Sequence, residues 1–270
     1  MDDRPIGVFD SGLGGLTTVR ELCRLLPEED IVYFGDTGRV PYGSRSRETI
    51  VKYARQDVAF LRTFDLKAIV IACGTVSTTA LDVLAAENPI PVLGVVAPAA
   101  RAAARATRSG SIGLIGTQAS IRSGAYERLI RAENPAARVL AQPCPLFVPL
   151  VENGRFRPGD VVIETVAAEY LAPLREAGVD TLVLGCTHYP LLEKVIGAYM
   201  GPEVRLINSG AEGARAAADC LRERDALAGP GRGSCRCFVS DRQEDFSRLA
   251  STFLGWDVAQ AVEQVDISQY

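Results

Sequence analysis

Ile69-Val70-Ile71-Ala72-Cys73-Gly74-Thr75 and Leu182-Val183-Leu184-Gly185-Cys186-Thr187-His188 are the two stretches that decide how this chain folds. Each opens with a short apolar run bounded by small residues, which suits a strand covered on both faces of a sheet. Each run ends on a cysteine. In open α/β sheets ligands sit beyond the carboxyl ends of the strands, and both thiols fall there. Two matched thiols, each followed by a threonine within two residues, fit two bases facing one substrate. That arrangement suits proton chemistry on both faces of a carbon.

The same strand pattern recurs along the chain, with helical stretches between. The first half predicts strands over Ile6–Phe9, Ile31–Phe34, Ala68–Ala72 and Val92–Val96. The second half predicts Ile112–Ile115, Arg138–Ala141, Thr181–Leu184 and Val204–Ile207. Counterparts are offset by 106, 107, 113 and 112 residues, which reads as an internal duplication. The expected fold is α/β: two similar domains, each with a mainly parallel sheet flanked by helices, related by a pseudo-twofold axis. The site is expected in the cleft between them. A boundary near Pro98, before an alanine-rich helix from Ala99 to Ala106, gives one domain of 1–98 plus 208–270 and another of 99–207. In the tail, a helix after Asn208-Ser209-Gly210, a loop at Gly229–Gly233, a strand over Cys235–Val239 and a helix over Asp245–Leu254 are expected to pack on the first domain.

Bulk properties exclude several classes. The 270 residues are 47% hydrophobic and 23% charged, enough for a full core and unlike a disordered chain. A net charge of -4 argues against a general nucleic-acid footprint, although 26 arginines against 3 lysines leave room for a local basic patch. No apolar run reaches the roughly 18 residues of a membrane span, and strand-like sequence from Ile6 is expected to leave no room for a signal peptide. Seven cysteines, an odd number without a small-scaffold spacing, read as reduced cytosolic thiols. Cys23, Cys144 and Cys220 are expected to pack in the interior, and Cys235-Arg236-Cys237 alternates like a strand with no second cluster to complete a zinc site.

A strand-end cysteine alone is more often a small buried hydrophobe. Around Cys73, however, Gly74-Thr75-Val76-Ser77-Thr78-Thr79 is a small polar turn running into a helix, whose start favours a thiolate or a bound carboxylate. Asp10, at the end of the first strand, is placed to hydrogen-bond that thiol or to cap a helix. Cys186 is followed by Thr187 and by His188, the only histidine, which can share a proton with a thiol or substrate. A Cys–His pair alone also suits acyl transfer, but the second cysteine has no use there.

Weaker signals surround these. Gly12-Leu13-Gly14-Gly15 resembles a phosphate-binding turn without GxGxxG spacing or a Walker lysine, and reads equally as a tight turn. Pro41-Tyr42-Gly43 could offer donors to a carboxylate. Thr117 and Ser120 open a helix, and Glu152 is either a cleft acid or a loop residue. None of Lys52, Lys67 and Lys194 sits at a strand end, so a Schiff-base cofactor is not expected; nor is a catalytic metal.

In combination and in order, Gly7-Val8-Phe9-Asp10-Ser11-Gly12-Leu13-Gly14-Gly15-Leu16-Thr17, Pro41-Tyr42-Gly43, Ala72-Cys73, Gly185-Cys186-Thr187-His188-Tyr189-Pro190-Leu191 and Ile207-Asn208-Ser209 resemble the cofactor-independent glutamate racemases over essentially the whole chain. The resemblance implies an isomerase that interconverts L- and D-glutamate and supplies D-glutamate for peptidoglycan synthesis, hence cell-wall biogenesis and cell shape. It implies no cofactor, a cytoplasmic location and a homodimer. By that resemblance Cys73 and Cys186 are the two bases, Asp10 assists Cys73, His188 assists Cys186, and Glu152 is an auxiliary acid. Ser11, Pro41, Tyr42, Gly43, Gly74, Thr75, Thr117, Ser120 and Thr187 join Asp10 and His188 as candidate substrate contacts. One position departs from the family, which usually has asparagine where Gly74 stands. A lost hydrogen bond to a charged group is worth roughly 1.5–3 kcal/mol, so weaker glutamate binding or altered selectivity is expected, with Gly74→Asn tightening it. A racemase of aspartate or a related amino acid, or a binding or regulatory paralogue, stays open at this point.

Overall fold

The computed structural model describes residues 1–256 and 262–270. Residues 257–261, which belong to the expected first domain, lie outside the described residues. The first half carries strands β1 (Ile6–Asp10), β2 (Ile31–Gly35), β3 (Ala68–Ile71) and β4 (Val92–Gly94). Between and after them run helices α1 (Leu16–Leu25), α2 (Arg47–Leu61), α3 (Gly74–Thr79), α4 (Leu81–Glu87) and α5 (Val96–Ala106). The second half carries β5 (Ser111–Gly116), β6 (Arg138–Pro143), β7 (Thr181–Leu184) and β8 (Arg205–Asn208). Its helices are α6 (Gln118–Ser123), α7 (Ala125–Glu133), α8 (Phe147–Glu152), α9 (Val161–Glu176) and α10 (Glu193–Met200). Helix α11 (Ser209–Glu223), β9 (Cys235–Val239), α12 (Gln243–Leu254) and β10 (Val262–Gln264) complete the described chain.

Two parallel sheets result, in the orders β10-β9-β2-β1-β3-β4 and β6-β5-β7-β8. Stripped of the tail strands, the first order is β2-β1-β3-β4, the same as the second with every strand advanced by four. The near-constant offsets in the sequence therefore mark a repeated topology. β1, β2, β3 and β7 are buried along their whole length, as expected for strands sandwiched between helices. The register is repeated as well: Phe9 pairs with Ile71 across β1 and β3, and Ile115 with Leu184 across β5 and β7.

Element ends differ from the expectation where local chemistry intervenes. The strand expected over Val92–Val96 stops at Gly94, because Val96 already begins α5 and Val95 caps it. Pro98 thus sits inside the first turn of that helix rather than before it, where its missing N–H has no partner to lose. Cys144 is buried as expected, but Cys23 and Cys220 are only partly so. The tail returns to the first sheet: β9 pairs with β2, β10 extends the edge, and α11 packs on α1 and α5. One apolar cluster, including Ile6, Val8, Val70, Ile115, Leu182 and Leu184, runs from the first sheet into the second. At roughly 1.5–3 kcal/mol for each fully buried large aliphatic side chain, this shared core holds the two halves in register. Among the described residues no helix is long and apolar enough to cross a membrane.

Candidate active site

In a strand order of this kind the chain reverses direction between β1 and β3, and again between β5 and β7. The crevice at such a switch point is where α/β sheets bind ligands. Here the two switch points face each other across one cavity of 370 Å³. Asp10 closes β1 and Cys73 follows β3; Thr117 follows β5 and Cys186 follows β7. Both thiols line that cavity, together with Ser11, Thr75, Thr117, Thr187, His188 and Glu152.

Cys73 is the N-terminal cap residue of α3, with extended backbone. Its thiol donates to Ser11 Oγ at 3.4 Å. Burial, and then the nearby negative charge of Asp10, push it up to about 12, against weaker opposition from Ser11. The thiol form is therefore the resident one. Asp10 makes no hydrogen bond to it. Its Oδ2 accepts from Gly12 N–H at 3.1 Å and its Oδ1 from Thr187 Oγ1 at 3.5 Å, beneath the cavity rather than in its wall. Burial raises the Asp10 carboxyl, with His188 and the amides of Gly15 and Gly12 opposing.

The other thiol has different company. Cys186 Sγ lies 3.9 Å from His188 Nδ1, and His188 Nε2 lies 3.0 Å from Glu152 Oε1. Burial works against a charged imidazole, but contacts with Cys186 and Glu152 outweigh it and lift His188 from 6.5 to about 10. At neutral pH the ring is an imidazolium between a carboxylate and a sulfur. Glu152, at the end of α8, is thus a cleft acid and not a loop residue. The glycine turn gains its reason here. A Cβ on Gly14 would run into Thr187 Oγ1 and sit 2.5 Å from His188 Nδ1, so the turn is bare to let His188 nest against it.

Several expected contacts are corrected by the geometry. The Tyr42 hydroxyl, expected to meet substrate, is already engaged within the protein. It donates to Asp36 and lies 3.2 Å from Asp57 Oδ2, in a buried network completed by Arg39 at 2.8 Å from Asp57 Oδ1. Pro41, Tyr42 and Gly43 all border the cavity. Ser120 is likewise withdrawn: it is buried, and its N–H donates to Thr117 Oγ1, which caps α6. Thr117 does both jobs, for its hydroxyl also meets Thr75 Oγ1 at 3.0 Å across the cleft. Gly74 borders the cavity but leaves no room for a side chain. A Cβ there would lie 2.5 Å from the carbonyl oxygen of Gly185 in the other half, so no asparagine fits without moving that backbone. The simple tightening expected of Gly74→Asn is withdrawn.

Val148 and Pro149 add an apolar wall to the cavity, and Cys144 lines it as well, none of them singled out by the sequence. Their signal was the Val148-Pro149-Leu150-Val151 run leading to Glu152. Among the described residues no three His, Cys, Asp or Glu side chains gather in a way that would hold a metal.

One sulfur from each of two like units opens into a common cavity, which defines a class of duplicated α/β proteins with paired thiols at one site. A family model described as Asp/Glu/Hydantoin racemase matches residues 9–217. Glutamate racemase of Geobacter metallireducens is 49% identical over 256 residues, 94% of each chain. The crystal structure of glutamate racemase isoform RacE1 from Bacillus anthracis superposes with a TM-score of 0.93 at 38% identity, covering 98% of both chains. Glutamate racemase from Francisella tularensis in complex with D-glutamate gives 0.92 at 38% identity, covering both chains fully. The chain belongs to the Asp/Glu/Hydantoin racemase family.

Proposed function

We propose that this chain is an amino-acid racemase that interconverts L- and D-glutamate by two-thiol proton transfer, supplying D-glutamate for peptidoglycan. The observation that carries the reading is the meeting of Cys73 and Cys186, from equivalent ends of two repeated sheets, in one cavity. The glutamate named for the relatives supports the substrate. The two units, 1–98 with 208–270 and 99–207, are read as its domains.

The chemistry follows from the two environments. An amino-acid Cα–H is a very weak acid, so its removal needs a dry, preorganised site. Cys73 rests as a thiol, ready to give a proton. The Cys186 sulfur lies 3.9 Å from Nδ1 of His188, which can share a proton with it. A Cys186 thiolate takes the Cα proton from one face, the electron pair stays on the carbon, and the Cys73 thiol delivers its proton to the other face. The reverse direction uses the swapped protonation states. Glu152 holds the charge and orientation of His188 through Nε2. Asp10 acts one step back, through charge on Cys73 and through Thr187. Hydroxyls of Ser11, Thr75, Thr117 and Thr187 are left to hold the substrate carboxylates. The reading includes a cytoplasmic homodimer, checked by light scattering of the purified protein.

The test is solvent-deuterium incorporation at Cα of each glutamate isomer, with aspartate and neutral amino acids in parallel. Wild type is expected to exchange and racemise glutamate, while Cys73→Ser and Cys186→Ser lose racemisation by several orders of magnitude. Exchange confined to aspartate would move the substrate, and no exchange with any amino acid would overturn the racemase reading.

A further inference from the structure

The His188 ring is held by groups from three parts of the chain. Its polar edge belongs to the second half: Nδ1 lies 3.9 Å from Cys186 Sγ and Nε2 lies 3.0 Å from Glu152 Oε1. The Gly14 backbone closes another side, since a Cβ there would sit 2.7 Å from Cε1. The remaining neighbour is an aromatic ring from near the end of the chain. Phe253, on α12, stands at 88° to the imidazole with ring centroids 5.4 Å apart, an edge-to-face pairing of ordinary attractive geometry. Phe253 is 1% exposed. It borders His188 without bordering the cavity.

The imidazole does not fix its own plane, because the torsion between Cβ and the ring is broad. The contact with Cys186 changes strength whenever that sulfur gains or loses a proton. A rigid ring packed at right angles blocks the swing of the imidazole in either protonation state, and locking by packing is what holds a reacting group to its geometry. The helix that carries the ring is itself anchored. Phe246, seven residues earlier and so on the same face of α12, packs on Tyr33 with centroids 6.2 Å apart. The Tyr33 hydroxyl donates to the Gly12 carbonyl at 2.8 Å, in the turn that also passes His188. Arg20, on α1, donates to the Phe253 carbonyl at 3.5 Å. Among the described residues the second half has no counterpart of α12, so the duplication alone does not supply this ring.

We infer that Phe253 is a positioning residue for racemisation, locking the His188 ring plane so that Nδ1 stays aimed at Cys186 throughout proton transfer. The lock stands on the packing alone; its effect on turnover rests on the racemase reading.

Phe253→Leu keeps an apolar side chain but removes the rigid plane. Phe246→Leu makes the same change on the same helix face, against Tyr33 instead of His188, and serves as the control for packing loss. Both are expected to lower the melting temperature by similar amounts. Only Phe253→Leu is expected to lower kcat for L-glutamate, about ten-fold or more with KM within about two-fold of wild type. Phe253→Met, flexible and of similar volume to leucine, should act in the same direction and replaces the leucine variant if that one does not fold. Proton–nitrogen NMR reads the lock without turnover, because His188 is the only histidine and its ring signals are unambiguous. Wild type and Phe246→Leu should give one sharp set of ring signals, and the Phe253 variants a shifted and exchange-broadened set. A kcat for the Phe253 variants within about two-fold of wild type, or a loss no greater than that of Phe246→Leu, overturns the positioning role. Ring signals unchanged from wild type overturn the lock itself. A wild type that racemises no amino acid overturns the racemase reading instead, and the NMR comparison still decides the lock.

Discussion

Gly74→Ala adds a single methyl at the place where the two halves come nearest. The new Cβ would lie 2.5 Å from the Gly185 carbonyl oxygen. Ordinary contact starts near 3.4 Å, so the carbonyl must retreat by about 0.9 Å. Overpacking of this size costs about 1–3 kcal/mol. Gly185 directly follows β7 of the other half, so the strain is relieved by parting the cleft rather than by unfolding either half. A cost of that size moves a closed-to-open equilibrium about 5–150-fold. A misplacement near 1 Å between reacting groups is also felt strongly in rate, because proton transfer needs near-attack geometry. We therefore expect kcat/KM for L-glutamate to fall about ten-fold or more, with the melting temperature lowered by about 2–4 °C for each kcal/mol of strain that parting the cleft does not relieve. Circular dichroism at a fixed wavelength follows racemisation, and a thermal melt supplies the control. Gly74→Asn makes the same displacement but adds an amide, so it should fall between Ala and wild type without exceeding wild type. An alanine variant with unchanged kcat/KM, or an asparagine variant that binds L-glutamate more tightly than wild type, would refute the argument.

Further expectations address the two flanks of the site. Glu152→Gln removes the carboxylate that helps lift His188, so the imidazolium should be lost at lower pH and the alkaline limb of kcat/KM should move down in pH relative to wild type; a pH–rate series that keeps the wild-type limb rules out this role. Because His188 is raised in the folded state, its contribution to stability is full below about pH 6.5 and fades as pH rises toward about 10. Urea titrations of wild type and His188→Asn at pH 6 and pH 10 should therefore converge at the higher pH. Tyr42→Phe strips a donor from the buried Asp36–Asp57 pair and should destabilise the fold by about 1–3 kcal/mol, with KM for glutamate nearly unchanged; a large KM rise with intact stability would return the hydroxyl to the substrate.

The strands were legible because buried parallel strands are written as short apolar runs, and Ile6, Ile31, Ala68 and Thr181 begin theirs where the pattern places them. The thiols and the histidine were legible because each follows such a run within a few residues. What was hidden depends on groups distant in the chain. Nothing near Tyr42 announces that Asp57, on α2, and Asp36 claim its hydroxyl. Nothing beside Gly74 announces the Gly185 carbonyl, and Gly14 looked like a phosphate turn until His188 was placed against it. The short edge strand β10 had no periodicity to betray it.

The repeated topology sets two like sulfurs opposite each other, yet gives Ser11 to one and His188 to the other. Enantiomeric substrates are mirror images, and this site is not its own mirror image. In an achiral solvent the two enantiomers have equal free energy, so the ratio of kcat/KM for the two directions must be unity. No such constraint binds kcat and KM singly. The enzyme is free to hold one enantiomer tightly and turn it over slowly while doing the opposite with the other, and the unequal neighbours of Cys73 and Cys186 are where that freedom is exercised.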